Sequence, residues 1–204
     1  MATAAADGHR PSVGKLAPEE TALLVCDVQE RFRPVISGFP AVVDTSRRML
    51  RAAAALKLPV IVTEQYPKAL GNTVEELQGF IPEGSPVVAK TKFSMCTEEV
   101  GAAFQALPAV KKVLIVGIET HVCVLQTSLD LLERGYEVHV LVDGVSSQRL
   151  GDRSVALQRL AQAGAFLATS EMAMFQMMVN TAHPAFKAVS ALCKEERPEQ
   201  LPPS

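Results

Sequence analysis

This chain lacks most of the features that would announce a function outright. Its 20 lysines and arginines against 22 acidic residues give a net charge of −2, and the cations gather into no cluster. Lys111-Lys112 is only a pair at the mouth of an apolar run. Nucleic acid and anionic membrane surfaces are therefore not expected as partners. The four cysteines, Cys26, Cys96, Cys123 and Cys193, stand at no zinc or C-x-x-C spacing. Nothing marks the chain for secretion, so no disulfide framework is expected. Met1 to Lys15 is alanine-rich but has no apolar stretch of the signal-peptide kind. Arg10 and Lys15 lean towards a mitochondrial leader and Asp7 leans against it, so the expected compartment is the cytoplasm, with nucleus and mitochondrion left open. No apolar run approaches the ~20 residues of a membrane span. There is no internal repeat and no sign of a second domain.

What is present describes an ordinary globular domain. The 204 residues are 48% hydrophobic and 21% charged. A domain of this length buries roughly 70% of its unfolded surface and needs no staples. The expected division is a flexible segment over 1–17, one domain over 18–194 and a frayed tail over 195–204, rich in Pro, Glu and Gln. Short apolar runs recur at 22–28, 58–65, 85–93, 111–119, 136–144 and, more weakly, 165–171. They are continuous rather than alternating, as in strands buried on both faces. Helical patterns fill the gaps at 40–57, 97–106, 121–134 and 149–163, the last two stopped by Gly135 and Gly164. Residues 171–194 read as two helices broken near Asn180–Pro184. Strands alternating with helices predict an α/β three-layer domain, with a mostly parallel, doubly wound sheet of about six strands.

In such a sheet ligands bind beyond the carboxyl ends of the strands. The polar residues closing the apolar runs are therefore the candidates: Asp27, Glu64, Lys90 or Lys92, Glu119 to Cys123, and Asp143. Three of them make a chemical set. A thiol becomes a useful nucleophile on ionising. The free N–H groups of a helix start and a nearby ammonium both favour the thiolate, and a carboxylate can take its proton. Cys123 at a predicted helix start, Lys90 or Lys92, and Asp27 would supply these parts. Each also has a plain structural role available: Asp27 as a turn residue, either lysine as a solvated strand end, Cys123 as small core filler.

Three segments carry a resemblance. V-C-D-V-Q (25–29), K-T-K-F-S (90–94) and G-I-E-T-H-V-C-V (117–124) resemble the motifs of the isochorismatase-like hydrolase superfamily, in order, and the likeness runs from about residue 20 to about residue 180. The resemblance implies Asp27 as general base, Lys90 rather than Lys92 as the catalytic lysine, and Cys123 as nucleophile. It further implies a non-proline cis peptide at Ile118–Glu119 and an oxyanion hole from the backbone of Glu119 and Cys123. The implied activity is hydrolysis of a small amide or ester by acyl transfer through Cys123. The alternatives are a vinyl-ether hydrolase of the isochorismatase type, and a non-catalytic member that binds a metabolite or partner protein. Family members are usually oligomers, so a homo-oligomer is implied.

Phe32, Tyr66 and Phe93 fall near the same sheet edge and either wall a pocket or fill the core. His121 is expected to face solvent, and Asp143, before a glycine, to shape a turn. Met172, Met174, Met177 and Met178 read first as core filler and second as a subunit interface. Metal-dependent relatives carry a histidine pair where this chain has T-E-Q-Y-P-K-A-L-G (63–71), so neither metal nor other cofactor is expected. Any hydrolytic activity is accordingly expected to survive treatment with a chelator. Assay before and after stripping checks this; loss that zinc, iron or manganese restores would refute it.

Overall fold

The computed structural model describes residues 12–202. Six strands form one all-parallel sheet: β1 (Thr21–Cys26), β2 (Val60–Gln65), β3 (Val87–Lys90), β4 (Lys112–Ile118), β5 (Glu137–Ser146) and β6 (Phe166–Ala168), in the order β3-β2-β1-β4-β5-β6. Eight helices accompany them: α1 (Phe39–Leu56), α2 (Pro67–Leu70), α3 (Glu75–Gln78), α4 (Glu98–Gln105), α5 (Leu125–Glu133), α6 (Leu150–Gln162), α7 (Ser170–Met178) and α8 (Phe186–Cys193). Among the described residues no helix is long and apolar enough to cross a membrane.

The strands are apolar throughout because both faces are covered. Leu23, Val25, Val60, Val62, Leu114 and Val116 point to one side, where α1, α7 and α8 pack through Met49, Leu50, Met174 and Val189. Their neighbours Leu24, Cys26, Ile61, Val113 and Ile115 point to the other, against Val100 and Phe104 of α4, Leu131 of α5 and Leu157 and Leu160 of α6. This period-two division across continuous apolar runs is what a doubly covered parallel sheet requires. Met174, Met177 and Met178 lie in the core; Met172 is exposed.

Several boundaries differ from expectation. The third strand stops at Lys90, so Lys92 lies in the following turn. The fifth strand runs through Asp143 and Gly144 to Ser146. Asp143 is therefore no turn residue. Its Oδ1 accepts the Ser170 N–H at 2.8 Å and its Oδ2 the Ser170 hydroxyl at 2.5 Å, at the start of α7. The expected helix from 121 opens instead as a wide π turn, Thr120–Val124, before α5 begins.

Parts of the terminal segments make contacts with the domain where they are described. Leu16 is buried and its N–H donates to Gln176 Oε1 at 3.1 Å. Residues 195–202 lie against the domain, because two interior arginines need their carbonyls. Arg48 of α1, 1% exposed, donates to the carbonyls of Leu192, Glu195 and Glu196 and to Asp44 Oδ2. Arg153 of α6, 2% exposed, donates to Pro202 O, Val145 O and Val142 O. Arg197 reaches Asp143 Oδ2 at 3.1 Å. Buried guanidinium donors without acceptors would be costly, and the segment supplies them. The expected features at 1–11 and 203–204 lie outside the described residues.

One residue of β4 leaves no room for a side chain towards β1. Gly117, paired in register with Cys26, has φ +118°, and a Cβ there would sit 2.0 Å from the Cys26 carbonyl oxygen. Neither the conformation nor the contact tolerates a side chain. Gly117→Ala is expected to destabilise the fold by roughly 3 kcal/mol or more, at the severe end for a single substitution. Urea unfolding of the variant measures this; a loss under about 1 kcal/mol would show that β4 can move away.

Candidate active site

The sheet order reverses direction between β1 and β4, and the carboxyl ends of these strands make the crevice where such folds take ligands. Asp27 follows the last residue of β1 directly and takes a left-handed backbone, φ 54°, which aspartate adopts more readily than most residues. Its N–H donates to Thr63 O at 3.1 Å. Thr63 Oγ1 donates to Oδ1 at 2.7 Å, and the Cys26 thiol lies 3.6 Å from Oδ2.

Lys90 ends β3, two strand spacings from β1, a separation of roughly 10 Å. Only a long side chain crosses that gap. Its Nζ reaches Asp27 Oδ2 at 2.7 Å, with both side chains no more than 1% exposed. The same ammonium donates to Gln65 Oε1 at 2.7 Å, Phe93 O at 2.9 Å and Lys92 O at 3.2 Å. Burial pulls the Lys90 pKa down, but its acidic neighbours Cys26, Asp27 and Cys123 outweigh it and hold the ammonium above its ordinary value. Lys92, half exposed, points away to Asp130 at 3.0 Å.

Cys123 sits inside the π turn, on the other side of β1 from Lys90. The N–H groups of Val122 and Val124 both turn back to Glu119 O at 3.1 Å. The Ile118–Glu119 peptide is cis. Thr127 Oγ1 donates to Cys123 O at 2.6 Å and accepts the Met95 N–H at 2.8 Å, tying the π turn to the loop after β3. Cys123 also neighbours the Cys26 thiol. Burial first, then the Cys123 side chain and the charge of Asp27, push Cys26 well above the ordinary thiol range. All four cysteines are free thiols.

Above Cys123 opens a cavity of about 350 Å³. Phe32, Tyr66 and Phe93 all line it, with Gln65, Ala69, Leu70, Glu119 and Val122. Tyr66 and Phe93 are half exposed at its mouth, so neither is core. A larger apolar depression lies elsewhere, around Ala53, Leu58 and Pro82, with none of these groups near it. His121 does not stand free in solvent: its Nδ1 pairs with Ser147 Oγ at 2.9 Å.

Sequence reasoning passed over two residues. Gln29, fully buried, donates from Nε2 to Gln65 O at 2.9 Å and Gly71 O at 2.6 Å, and accepts the Gln65 N–H at 2.7 Å. It clamps the segment that carries Tyr66. Gln65, itself a wall of the cavity, holds Lys90 from above. Gln29 closes the V-C-D-V-Q motif and Gln65 closes β2, so both stood at positions that deserved weight.

An all-parallel sheet with an ionic pair and a lined cavity at its switch point defines an α/β enzyme fold. Residues 21–172 match the Isochorismatase domain, and the chain belongs to that family, with its hydrolase fold. Isochorismatase domain-containing protein 1 of Salmo salar is 46% identical over 187 residues, 92% of this chain. The chain spans 65% of the length of that relative. Isochorismatase domain-containing protein 2 of Homo sapiens is 46% identical over 190 residues, 93% of this chain and 91% of its own. Among solved structures, the MAR1 ribonuclease of Caenorhabditis elegans superposes with a TM-score of 0.88 at 46% identity, covering 94% of this chain and 99% of that one.

The two lysines separate cleanly by environment. Lys90→Met strands a buried carboxylate and is expected to cost about 3–5 kcal/mol. Lys92→Met breaks an exposed pair and is expected to cost under about 1 kcal/mol. Parallel denaturant titrations test this, and a larger loss for Lys92→Met would reverse the assignment.

Proposed function

We propose that the protein is a hydrolase of small amides or esters that works through an acyl-enzyme on Cys123. The observation that carries this reading is the buried Lys90–Asp27 pair at the same sheet edge as an apolar cavity lined by Cys123. Asp27 takes the thiol proton, and the charge balance of the site is kept: carboxylate, ammonium and thiol become carboxylic acid, ammonium and thiolate. The thiolate attacks the acyl carbon, and the N–H groups of Glu119 and Cys123 hold the oxyanion. The C–N or C–O bond breaks, and the leaving group carries away the proton from Asp27. Water, deprotonated by Asp27, then attacks the thioester; the acid departs and Cys123 regains its proton. Lys90 keeps its charge throughout and fixes the carboxylate, while Thr63 holds the other oxygen.

The name of the C. elegans neighbour invites a ribonuclease reading. A net charge of −2 and a cavity lined by no cation speak against an RNA backbone as the natural occupant. The resemblance also leaves vinyl-ether hydrolysis and non-catalytic binding open. The thiol beside a proton acceptor favours acyl chemistry, because neither alternative needs a nucleophile at that point.

The reading makes Cys123 the most reactive of four thiols. Burial raises the pKa of Cys26, Cys96 and Cys193 in each case, which slows them at neutral pH. Alkylation followed by mass spectrometry is expected to mark Cys123 first, and Cys123→Ala is expected to abolish hydrolysis in a screen of small amides and esters. Equal labelling at Cys96 or Cys193, or hydrolysis that persists in Cys123→Ala, would defeat it.

A further inference from the structure

The cavity over Cys123 has an electrostatic character that narrows what can enter. At about 350 Å³ it stands at the small end of ligand pockets, which run roughly 300–1,000 Å³. Phe32, Tyr66, Phe93 and Val122 give it flat and branched apolar walls. Its polar groups, apart from the thiol, are the side chains of Gln65 and Glu119 and the phenol of Tyr66, which is neutral. Gln65 spends both ends of its amide, Oε1 on Lys90 and Nε2 on Thr91 O at 2.9 Å. The buried Lys90 ammonium offers nothing to a ligand. An ammonium has three N–H groups, and Asp27, Gln65 and the carbonyls of Phe93 and Lys92 occupy those of Lys90.

Glu119 remains. Its side chain is 14% exposed, and Oε2 accepts the Gln148 N–H at 2.9 Å. Oε1 has no hydrogen-bond partner among the described residues. His121 stands 3.9 Å from Oε2, but its Nδ1 is engaged with Ser147. Among the described residues that line the cavity, Glu119 is thus the one formally charged, and it has no ion-pair partner at hydrogen-bonding distance.

We propose, on the reading that Cys123 is the nucleophile, that the site selects small uncharged amides or esters with a flat apolar group, and that Glu119 rejects carboxylated ones. The apolar group lies among Phe32, Tyr66 and Phe93. A carboxylate brought to the same place would lose its hydration with no cation in exchange and would face a like charge.

Iodoacetamide and iodoacetate are nearly equal in size and differ in charge, so they test the wall without requiring the substrate. Rates of alkylation at Cys123 in the full chain are measured by mass spectrometry and set against those of 2-mercaptoethanol under the same conditions. The preference of Cys123 for iodoacetamide is expected to exceed that of the free thiol by about tenfold. Glu119→Gln is expected to remove most of the excess. A preference equal to that of the free thiol, or one untouched by Glu119→Gln, overturns the proposal while leaving the nucleophile in place. A Cys123 inert to both reagents, with other thiols labelled, takes down the nucleophile and the proposal together. The wild-type comparison decides the first point even if the variant fails to fold.

Discussion

The Lys90 ammonium and the Asp27 carboxylate lie 2.7 Å apart with almost no solvent on either. Stripping two charges of water costs several kcal/mol each, and their attraction alone does not reliably return it. The surroundings make up the difference, and in doing so they fix the site. Thr63 of β2 must turn its hydroxyl to one carboxylate oxygen. Gln65, two residues on, must present its carbonyl end to the ammonium, and the turn after β3 must aim two backbone carbonyls inward. The left-handed backbone at Asp27 is retained because these partners over-determine it. Since the lysine pKa is raised, the pair persists across neutral pH, and its contribution fades only as pH climbs beyond the ordinary lysine range.

The bare backbone at Gly117 belongs to the same set of constraints. Its positive φ aims the place of a side chain at the Cys26 carbonyl, one residue before the Ile118–Glu119 peptide that leads into the turn carrying Cys123. The register slips between Ile115 and Gly117 against β5, which lets one strand satisfy a straight neighbour on one side and a displaced one on the other. Thr127 then closes the arrangement by holding Cys123 and Met95 together.

Much of the fold could be read in advance because burial on both faces leaves a plain mark. Runs such as A-L-L-V-C and V-L-I-V are apolar without alternation, and the residues that end them must emerge at one rim. Asp27, Lys90 and Cys123 were visible for that reason, though spacing could not say which of Lys90 and Lys92 turns inward. The choice depends on where β3 ends, and a boundary of two residues is below what periodicity resolves. Gln29 and Gln65 escaped notice because their roles exist only across strands, in a register that no local pattern encodes. Asp143 was misjudged for a similar reason. A glycine beside an aspartate suggests a turn, whereas Gly144 is small because Thr45 and Val116 press on it from within the sheet stack. Composition likewise could not show the contacts of residues 195–202, because they depend on two arginines far upstream whose nearer acceptors, Asp44, Val142 and Val145, satisfy only part of each guanidinium.

Those two arginines tie distant parts of the chain to the drying of the interior. Arg48 is bonded to a carbonyl 144 positions later, and Arg153 to one 49 positions later. Their nearer acceptors, Asp44 for the one and Val142 and Val145 for the other, satisfy only part of each guanidinium. With residues 192–202 undocked, the remaining N–H groups would keep water at the inner faces of α1 and α6. Docking of that segment therefore displaces water from two helices at once, and a change far from either arginine, in the backbone course of 192–202, would be felt at both.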